Sequence, residues 1–287
     1  MTKCIYHSKD LDGRCSGAIV KRSIPDCEMI GMDYGDVLPW DIFKKDDELI
    51  MIDFSLPFKD MMRLNGMVGR FVWIDHHKSA IKEYEKYKEK IRGNGIFTPF
   101  LSEELAACEL TWAYLCNDEI GVIDPTHIPC GIRFLGRYDI WDHSNPDAVL
   151  FQLGMLSYDT SVESDIWEEA LGDDEDFISN TIFIGKRVQE FVQSRNEWNM
   201  KFSFPFEFEG IRFICINNVT TGSPQFDSVW DPDKYDAVMV FYMTPEKRWS
   251  FHIYTSKKEI DLSVIATKYG GGGHTNACGF QLNELPF

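Results

Sequence analysis

The sequence predicts a two-domain α/β protein: an N-terminal parallel sheet flanked by helices, a smaller C-terminal mixed α/β domain, and the functional site in the cleft between them. Three observations carry that expectation. Short apolar runs in the first half each end abruptly in acidic or histidine residues, as buried parallel strands do. Helical stretches separate those runs. From about residue 205 the pattern turns to closely spaced strands. The expected boundaries are 1–150 for the first domain, 151–204 for a helical connector and 205–287 for the second domain.

Taken in order, Cys4-Ile5-Tyr6 reads as a strand ending in the cluster His7-Ser8-Lys9-Asp10-Leu11-Asp12-Gly13. A first helix is expected from Ser16 to Arg22, directly after the Asp-Leu-Asp-Gly turn. Met29-Ile30-Gly31-Met32 reads as a strand ending at Asp33, Leu49-Ile50-Met51-Ile52 as one ending at Asp53, and Phe71-Val72-Trp73-Ile74 as one ending at Asp75-His76-His77. Ser102 reads as a helix N-cap, with Glu103 and Glu104 favourable to the helix dipole and Leu105, Cys108, Trp112 and Leu115 at helical spacing. In the connector, Phe177, Thr181, Ile184, Val188 and Phe191 share one face of a helix. Three strands follow, at Ile211 to Ile216, Ala237 to Tyr242 and Trp249 to Tyr254, and a short helix from Leu262 to Lys268 leads into Gly270-Gly271-Gly272-Gly273-His274.

The composition removes several function classes. Hydrophobic residues make up 44% of 287, which is globular and not disordered. No apolar run approaches the ~20 residues that cross a bilayer. Met1-Thr2-Lys3-Cys4 lacks the apolar core of a signal peptide, so a cytoplasmic location is expected. The eight cysteines are scattered with no Cys-x-x-Cys pair, and read as thiols, not as a disulfide framework. A formal net charge of −17 argues against binding duplex DNA, which needs many Lys and Arg against phosphates. A short anionic substrate remains compatible, because bound cations reverse the local sign of a site.

Ligands of open α/β sheets bind beyond the carboxyl ends of the strands, and each apolar run delivers its polar cluster there. Carboxylates suit hard divalent cations, and mixed carboxylate and imidazole sets suit borderline ones. The spacing lets His7 and Asp10 hold one cation while Asp12 turns toward a second. Asp53 is placed to bridge the two, and His76 with Asp139 to complete the second. Such a set suits Mn²⁺ better than Ca²⁺ or Mg²⁺. Paired cations activate a water and stabilise both oxygens of a phosphoryl transfer.

The ordered series His7…Asp10-x-Asp12-Gly13, Asp53, Asp75-His76-His77, Asp139 and Gly271-Gly272-Gly273-His274-x-x-Ala277-x-Gly279-Phe280 resembles the DHH/DHHA1 phosphoesterase superfamily, along nearly the whole chain. That superfamily includes RecJ-type exonucleases, nano-RNA oligoribonucleases, cyclic-dinucleotide phosphodiesterases and exopolyphosphatases. The resemblance implies that His7, Asp10 and Asp53 bind one Mn²⁺ and that Asp12, Asp53, His76 and Asp139 bind the other, with Mg²⁺ or Co²⁺ as alternatives. It implies Asp75 as ligand or as the group orienting a neighbouring imidazole, and His77 as hydrogen-bond donor to the scissile phosphate. It further implies that Gly271, Gly272 and Gly273 let the backbone approach the substrate and that His274 contacts a phosphate. Two departures stand out: a fourth glycine, Gly270, precedes the motif, and Asp142 competes with Asp139 for one ligand position. Asp139 is the better match, because an acid just before Ile-Trp resembles this branch.

Other residues have plainer readings. Asp33 and Asp36 read as turn residues flanked by Gly31 and Gly35. His127, His143 and His252 have no motif support and read as structural. Residues 82–92 alternate Lys and Glu up to Arg92, as a solvated helix face does. Arg133 and Arg137 are candidates for phosphate contact. The expected activity is Mn²⁺-dependent hydrolysis of short single-stranded oligonucleotides or linear dinucleotides to nucleoside monophosphates, a homodimer being compatible with it. A phosphoanhydride hydrolase acting on pyrophosphate or polyphosphate is the first alternative. It is disfavoured because a pyrophosphatase is expected to carry a basic clamp where this chain has Gly-Gly-Gly-His. A non-catalytic nucleotide binder is the second, disfavoured by the complete ligand set.

Overall fold

The computed structural model describes residues 1–91, 96–116, 125–142, 144–219 and 222–287. Arg92 and His143 lie outside the described residues. The chain divides into two compact units, Met1–Gln189 and Glu190–Phe287.

The first unit is built on five parallel strands: β1 (Thr2–His7), β2 (Glu28–Met32), β3 (Glu48–Ile52), β4 (Arg70–Asp75) and β5 (Ile96–Leu101), in the order β2-β1-β3-β4-β5. The helices are α1 (Leu11–Ser23), α2 (Phe58–Met67), α3 (Lys78–Tyr87), α4 (Ala107–Cys116), α5 (Cys130–Asp139), α6 (Pro146–Met155), α7 (Ile166–Leu171) and α8 (Glu175–Asn199). Side chains alternate across the sheet, so each strand feeds two layers. Ile5, Met51, Phe71 and Trp73 pack with Met61 and Leu64 of α2 and Ala80 of α3. Cys4, Ile50, Ile52, Val72 and Ile74 pack with Val20 of α1 and Leu110 of α4. A further core joins α1, α4 and α5 to α6, α7 and the start of α8 around the buried Phe151 and Trp167. Each fully buried side chain of this size contributes roughly 1.5–3 kcal/mol.

Two expected boundaries are corrected. The first helix starts at Leu11, not at Ser16, because the Asp10 side chain accepts the Gly13 N–H at 2.9 Å and caps it there. Ser102 does not cap α4; its hydroxyl accepts the Glu104 N–H in a turn, and α4 begins at Ala107. Of the segment 151–204, the part up to Gln189 belongs to the first unit, where Phe177 and Thr181 are buried. Phe191, on the same helical face, is exposed.

The second unit is a mixed six-stranded sheet: β6 (Phe204–Phe208), β7 (Ile211–Asn217), β8 (Ala237–Met243), β9 (Trp249–Tyr254), β10 (Gly272–His274) and β11 (Ala277–Leu282), in the order β10-β11-β9-β8-β7-β6. β7 and β8 are parallel and the other neighbours antiparallel. α9 (Ser263–Lys268) covers one face through Ile265 and Ala266, against Phe251, Ile253 and Phe280. The opposite face packs Ile214, Ile216 and Val240 on Met200 and Phe226. Asp236 holds the start of β8 in place: both its oxygens accept from the Arg212 guanidinium at 2.8 Å, and Lys257 adds a bond at 2.9 Å. Six of the eight cysteines are buried free thiols. Among the described residues, no helix is long and apolar enough to cross a membrane.

Candidate metal centre

The strand order places the site. β1 and β3 are neighbours, and the chain leaves them toward opposite edges of the sheet, which opens a crevice at their carboxyl ends. His7 ends β1, Asp53 follows β3 and Asp75 ends β4, so three adjacent strands deliver polar groups to one edge. Asp53 turns out of β3 at φ 51°, a left-handed backbone that costs an L residue about 1 kcal/mol. Asp is among the side chains that tolerate it, and such strain gathers at functional sites. Gly13 is required for a different reason. A Cβ there would lie 2.0 Å from the His7 carbonyl oxygen, so only glycine lets α1 start this close to the end of β1.

The Asp53 carboxylate stands between two groups. Its Oδ2 lies 3.6 Å from His7 Nδ1, which is 2.7 Å from Asp10 Oδ2. Its Oδ1 lies 3.3 Å from His76 Nε2, which is 3.2 Å from Asp139 Oδ2 and 3.6 Å from Asp12 Oδ2. His7, Asp10 and Asp53 thus form one cation-sized group, and Asp12, His76 and Asp139 a second; in each, the ligand atoms lie within 4.8 Å of one another. Asp53, His76 and His77 form a third such group. His7 Nδ1, Asp53 Oδ1 and His76 Nε2 are buried and near their neighbours, yet none is in hydrogen-bond geometry. Ligand atoms that crowd one point without pairing are what a divalent cation needs, so the residues fit the metal the motifs imply.

The electrostatics agree. The carboxylate of Asp10, then that of Asp53, raises His7 to about 10. Burial alone would lower His76, but Asp53, Asp12 and Asp139 carry it up to about 9. Burial, reinforced by Asp53, pushes Asp139 up to about 6. Asp12 is likewise raised by burial, and then by Asp53 and Asp139. Buried like charges of this kind are relieved by a cation, whose binding expels protons from its ligands.

Asp75 is wholly buried and belongs to none of the three groups. Its Oδ1 accepts the backbone N–H of His76 at 2.7 Å and of His77 at 3.0 Å, and lies 2.7 Å from His77 Nδ1. That contact raises His77 and turns its Nε2 away from Asp75. Asp142 pairs with Arg137 at 3.4 Å, and it is Asp139 that reaches His76.

Gly271, Gly272, Gly273 and His274 lie in the second unit. The expected loop is partly a strand, since Gly272 to His274 pair with β11 as β10. The reason is close packing: a Cβ on Gly271 would lie 2.0 Å from the Gly279 oxygen, and Gly273 sits at φ 133° with Cys278 2.6 Å from where its Cβ would be. His274 is exposed. Beside Gly270 and Gly271 a cavity of about 330 Å³ is lined by Arg248, Ser250, His252 and Gln281.

Sequence reasoning missed three contributors. Asp33 shapes its turn as expected, accepting the Tyr34 N–H at 2.8 Å, but its Oδ1 also lies 3.4 Å from His7 Nε2. Tyr34 sets its ring 5.5 Å from that of His7 and 4.9 Å from that of Phe54. Glu109 is buried against α5, where its Oε2 lies 2.6 Å from the place a Cβ on Gly136 would take, one turn before Asp139. No local pattern marks any of the three; the strand ending at Asp33 is the nearest signal.

No family model matches the chain. An uncharacterized protein of Acanthamoeba polyphaga mimivirus is 24% identical over 257 residues, covering 84% of this chain. The match takes in 54% of that protein, so the chain spans about half the length of the curated relative. Among solved structures, the pGpG-specific phosphodiesterase PggH of Vibrio cholerae aligns with a TM-score of 0.53 at 12% identity, over 98% of this chain and 93% of that one. The exonuclease RecJ bound to manganese aligns with a TM-score of 0.52 at 15% identity, over 98% of this chain and 86% of that one. Over nearly its whole length, then, the protein shares its fold with these two solved structures, an N-terminal parallel sheet flanked by helices and a C-terminal mixed sheet, as the sequence predicts.

Proposed function

We propose that the protein is a metal-dependent phosphodiesterase that hydrolyses short single-stranded oligonucleotides or linear dinucleotides to nucleoside monophosphates. The observation that carries this reading is the Asp53 carboxylate set between two ligand groups, one oxygen toward each. His7, Asp10 and Asp53 hold one cation, and Asp12, Asp53, His76 and Asp139 the other, with Mn²⁺ favoured by the mixed donors. Bound there, the pair supplies a Lewis acid for a phosphoryl oxygen and lowers the pKa of a water.

The chain's own residues do the rest. Asp75 fixes the His77 imidazole through Nδ1 and favours its protonated form, leaving the half-exposed ring to donate from Nε2 to a phosphate oxygen. The acidic balance of the chain favours substrates of a few nucleotides over long polymers, since there are few cations to track a backbone. In the second unit, the glycine strand and His274 are the substrate contacts in this reading. Support comes from the ligand geometry and from the fold shared with a phosphodiesterase and an exonuclease.

The test is product analysis of a 5′-labelled RNA trinucleotide incubated with the protein and Mn²⁺, with a chelator control. Chelator-sensitive release of mononucleotides is the expected result, and the label reports which end is attacked. No cleavage of the trinucleotide, with turnover of polyphosphate instead, overturns the substrate class.

A further inference from the structure

We infer that Tyr34 is a substrate-contact residue whose ring packs against the nucleoside beside the scissile phosphate, an inference that rests on the nucleotide reading above. Tyr34 follows β2, which runs beside β1 with Met32 opposite His7. The chain turns there: the Asp36 backbone N–H donates to the Asp33 carbonyl at 3.1 Å. Two carboxylates secure the turn, Asp36 accepting the Asp33 N–H and Asp33 the Tyr34 N–H, both at 2.8 Å. Turns take Asp for such backbone bonds and Gly for positive φ, and Asp33, Asp36 and Gly35 meet both needs. A tyrosine serves neither; what distinguishes it is where its ring goes.

Three ring contacts place it at the metal centre. The Tyr34 centroid lies 4.9 Å from that of Phe54, 5.5 Å from that of His7 and 6.4 Å from that of His77, the last nearly perpendicular at 79°. Phe54, the residue after Asp53, is buried and stacks at 27° to His7, so it holds Tyr34 against a fixed surface. His7 belongs to one ligand group, and His77 is the phosphate donor of the reading above. The Tyr34 ring therefore borders both. Packing on Phe54 uses only part of it, since the residue stays 52% exposed.

The chemistry of that surface selects the ligand. A phosphate seeks cations and N–H donors, and the face of an aromatic ring carries negative potential instead. A base or ribose flanking the phosphate gains apolar contact there, and bases stack on aromatic side chains whatever their identity, because every base has a π-face. A polyphosphate chain has no such group. Tyr34 thus favours nucleotides over phosphoanhydrides, and in a chain of net charge −17 it does so without adding positive charge.

Tyr34→Leu and Tyr34→Phe separate this role from mere support of His7. Leucine keeps an apolar contact with Phe54 but has no π-face, and phenylalanine lacks only the hydroxyl. Titration calorimetry with Mn²⁺ alone should give affinities within about twofold in all three proteins. With Mn²⁺ present, the wild type and Tyr34→Phe are expected to bind adenosine 5′-monophosphate about 10-fold more tightly than ribose 5-phosphate, and Tyr34→Leu to bind the two nearly alike. The KM of Tyr34→Leu for an RNA dinucleotide should rise by about 10-fold with kcat within about twofold. An unchanged preference for the nucleotide in Tyr34→Leu, or a loss of Mn²⁺ affinity that accounts for the effect, overturns the contact and leaves the nucleotide reading intact. Failure of the wild type itself to bind the nucleotide and to cleave the dinucleotide overturns both.

Discussion

The Asp12 carboxylate accepts the backbone N–H of Cys108 at 2.7 Å, and that of Ala107 at 2.9 Å. It therefore caps α4 from a distant part of the chain while its Oδ2 faces His76. Asp12 is buried near two other acids, Asp53 and Asp139, and is held in place by a helix end that favours negative charge. A cation offsets that repulsion. Adding Mn²⁺ at about 100 times its Kd is expected to stabilise the protein by about 2.7 kcal/mol, read as a higher Tm that a chelator reverses. A Tm indifferent to both would remove the metal centre from consideration.

Asp53 and Asp75 are both buried acids at strand ends, but their partners differ. Asp53→Asn should lose the Mn²⁺-dependent rise in Tm and reduce turnover by more than about 100-fold, since even groups behind the ligands are worth about 10–100-fold. Asp75→Ala should also lose turnover, through the freed His77 imidazole, yet keep a Mn²⁺-dependent shift, because Asp75 stands in none of the ligand groups. Mn²⁺-dependent cleavage retained in both variants would overturn the assignment.

Asp33 holds the far nitrogen of His7 at 3.4 Å, with Nδ1 on the ligand side. A carboxylate behind a ligating imidazole fixes its tautomer and orientation. Asp33→Ala is expected to weaken Mn²⁺ binding by about 10-fold, and Asp33→Asn by less, because an amide oxygen still accepts the Nε2 proton. Titration calorimetry measures this without any assay of activity; equal affinities in all three proteins would confine Asp33 to its turn.

The second unit carries an acid-sensitive lock. The Arg212 guanidinium, then Lys257, holds the Asp236 carboxyl well below the usual carboxylate range. A carboxyl depressed on folding stabilises the protein above its unfolded pKa of about 3.9, and that contribution is lost as pH falls below it. Stability should therefore decline below about pH 4, and Asp236→Asn should cost about 1–3 kcal/mol at neutral pH while flattening the acid limb. Parallel acid unfolding curves for the two proteins would contradict this.

Much of the fold is legible in the order of the residues alone. The runs ending at His7, Asp53 and Asp75 are strands because an apolar stretch of four or so residues between polar breaks has few other uses in a globular chain. The glycine stretch is legible as a backbone feature, but its pairing with β11 is not, since that depends on the close approach of Gly279 and Cys278. The helix starts differ from expectation for a related reason. Asp10 caps α1 locally and moves its start ahead of Ser16, whereas the acid that caps α4, Asp12, comes from the first turn of α1, some 95 residues earlier in the chain.

The sequence by itself determined the two-domain α/β class, the acidic and histidine residue types of the candidate metal site and the strand ends near which they lie, because these follow from local periodicity and from the chemistry of each side chain. Only the tertiary structure decided that Asp53 turns one oxygen to each ligand group, that Asp139 and not Asp142 reaches His76, and that Asp33 backs His7. Those relations join residues far apart in the chain. They arise from the strand order β2-β1-β3-β4-β5 and the packing of α4 and α5, which no short-range pattern encodes.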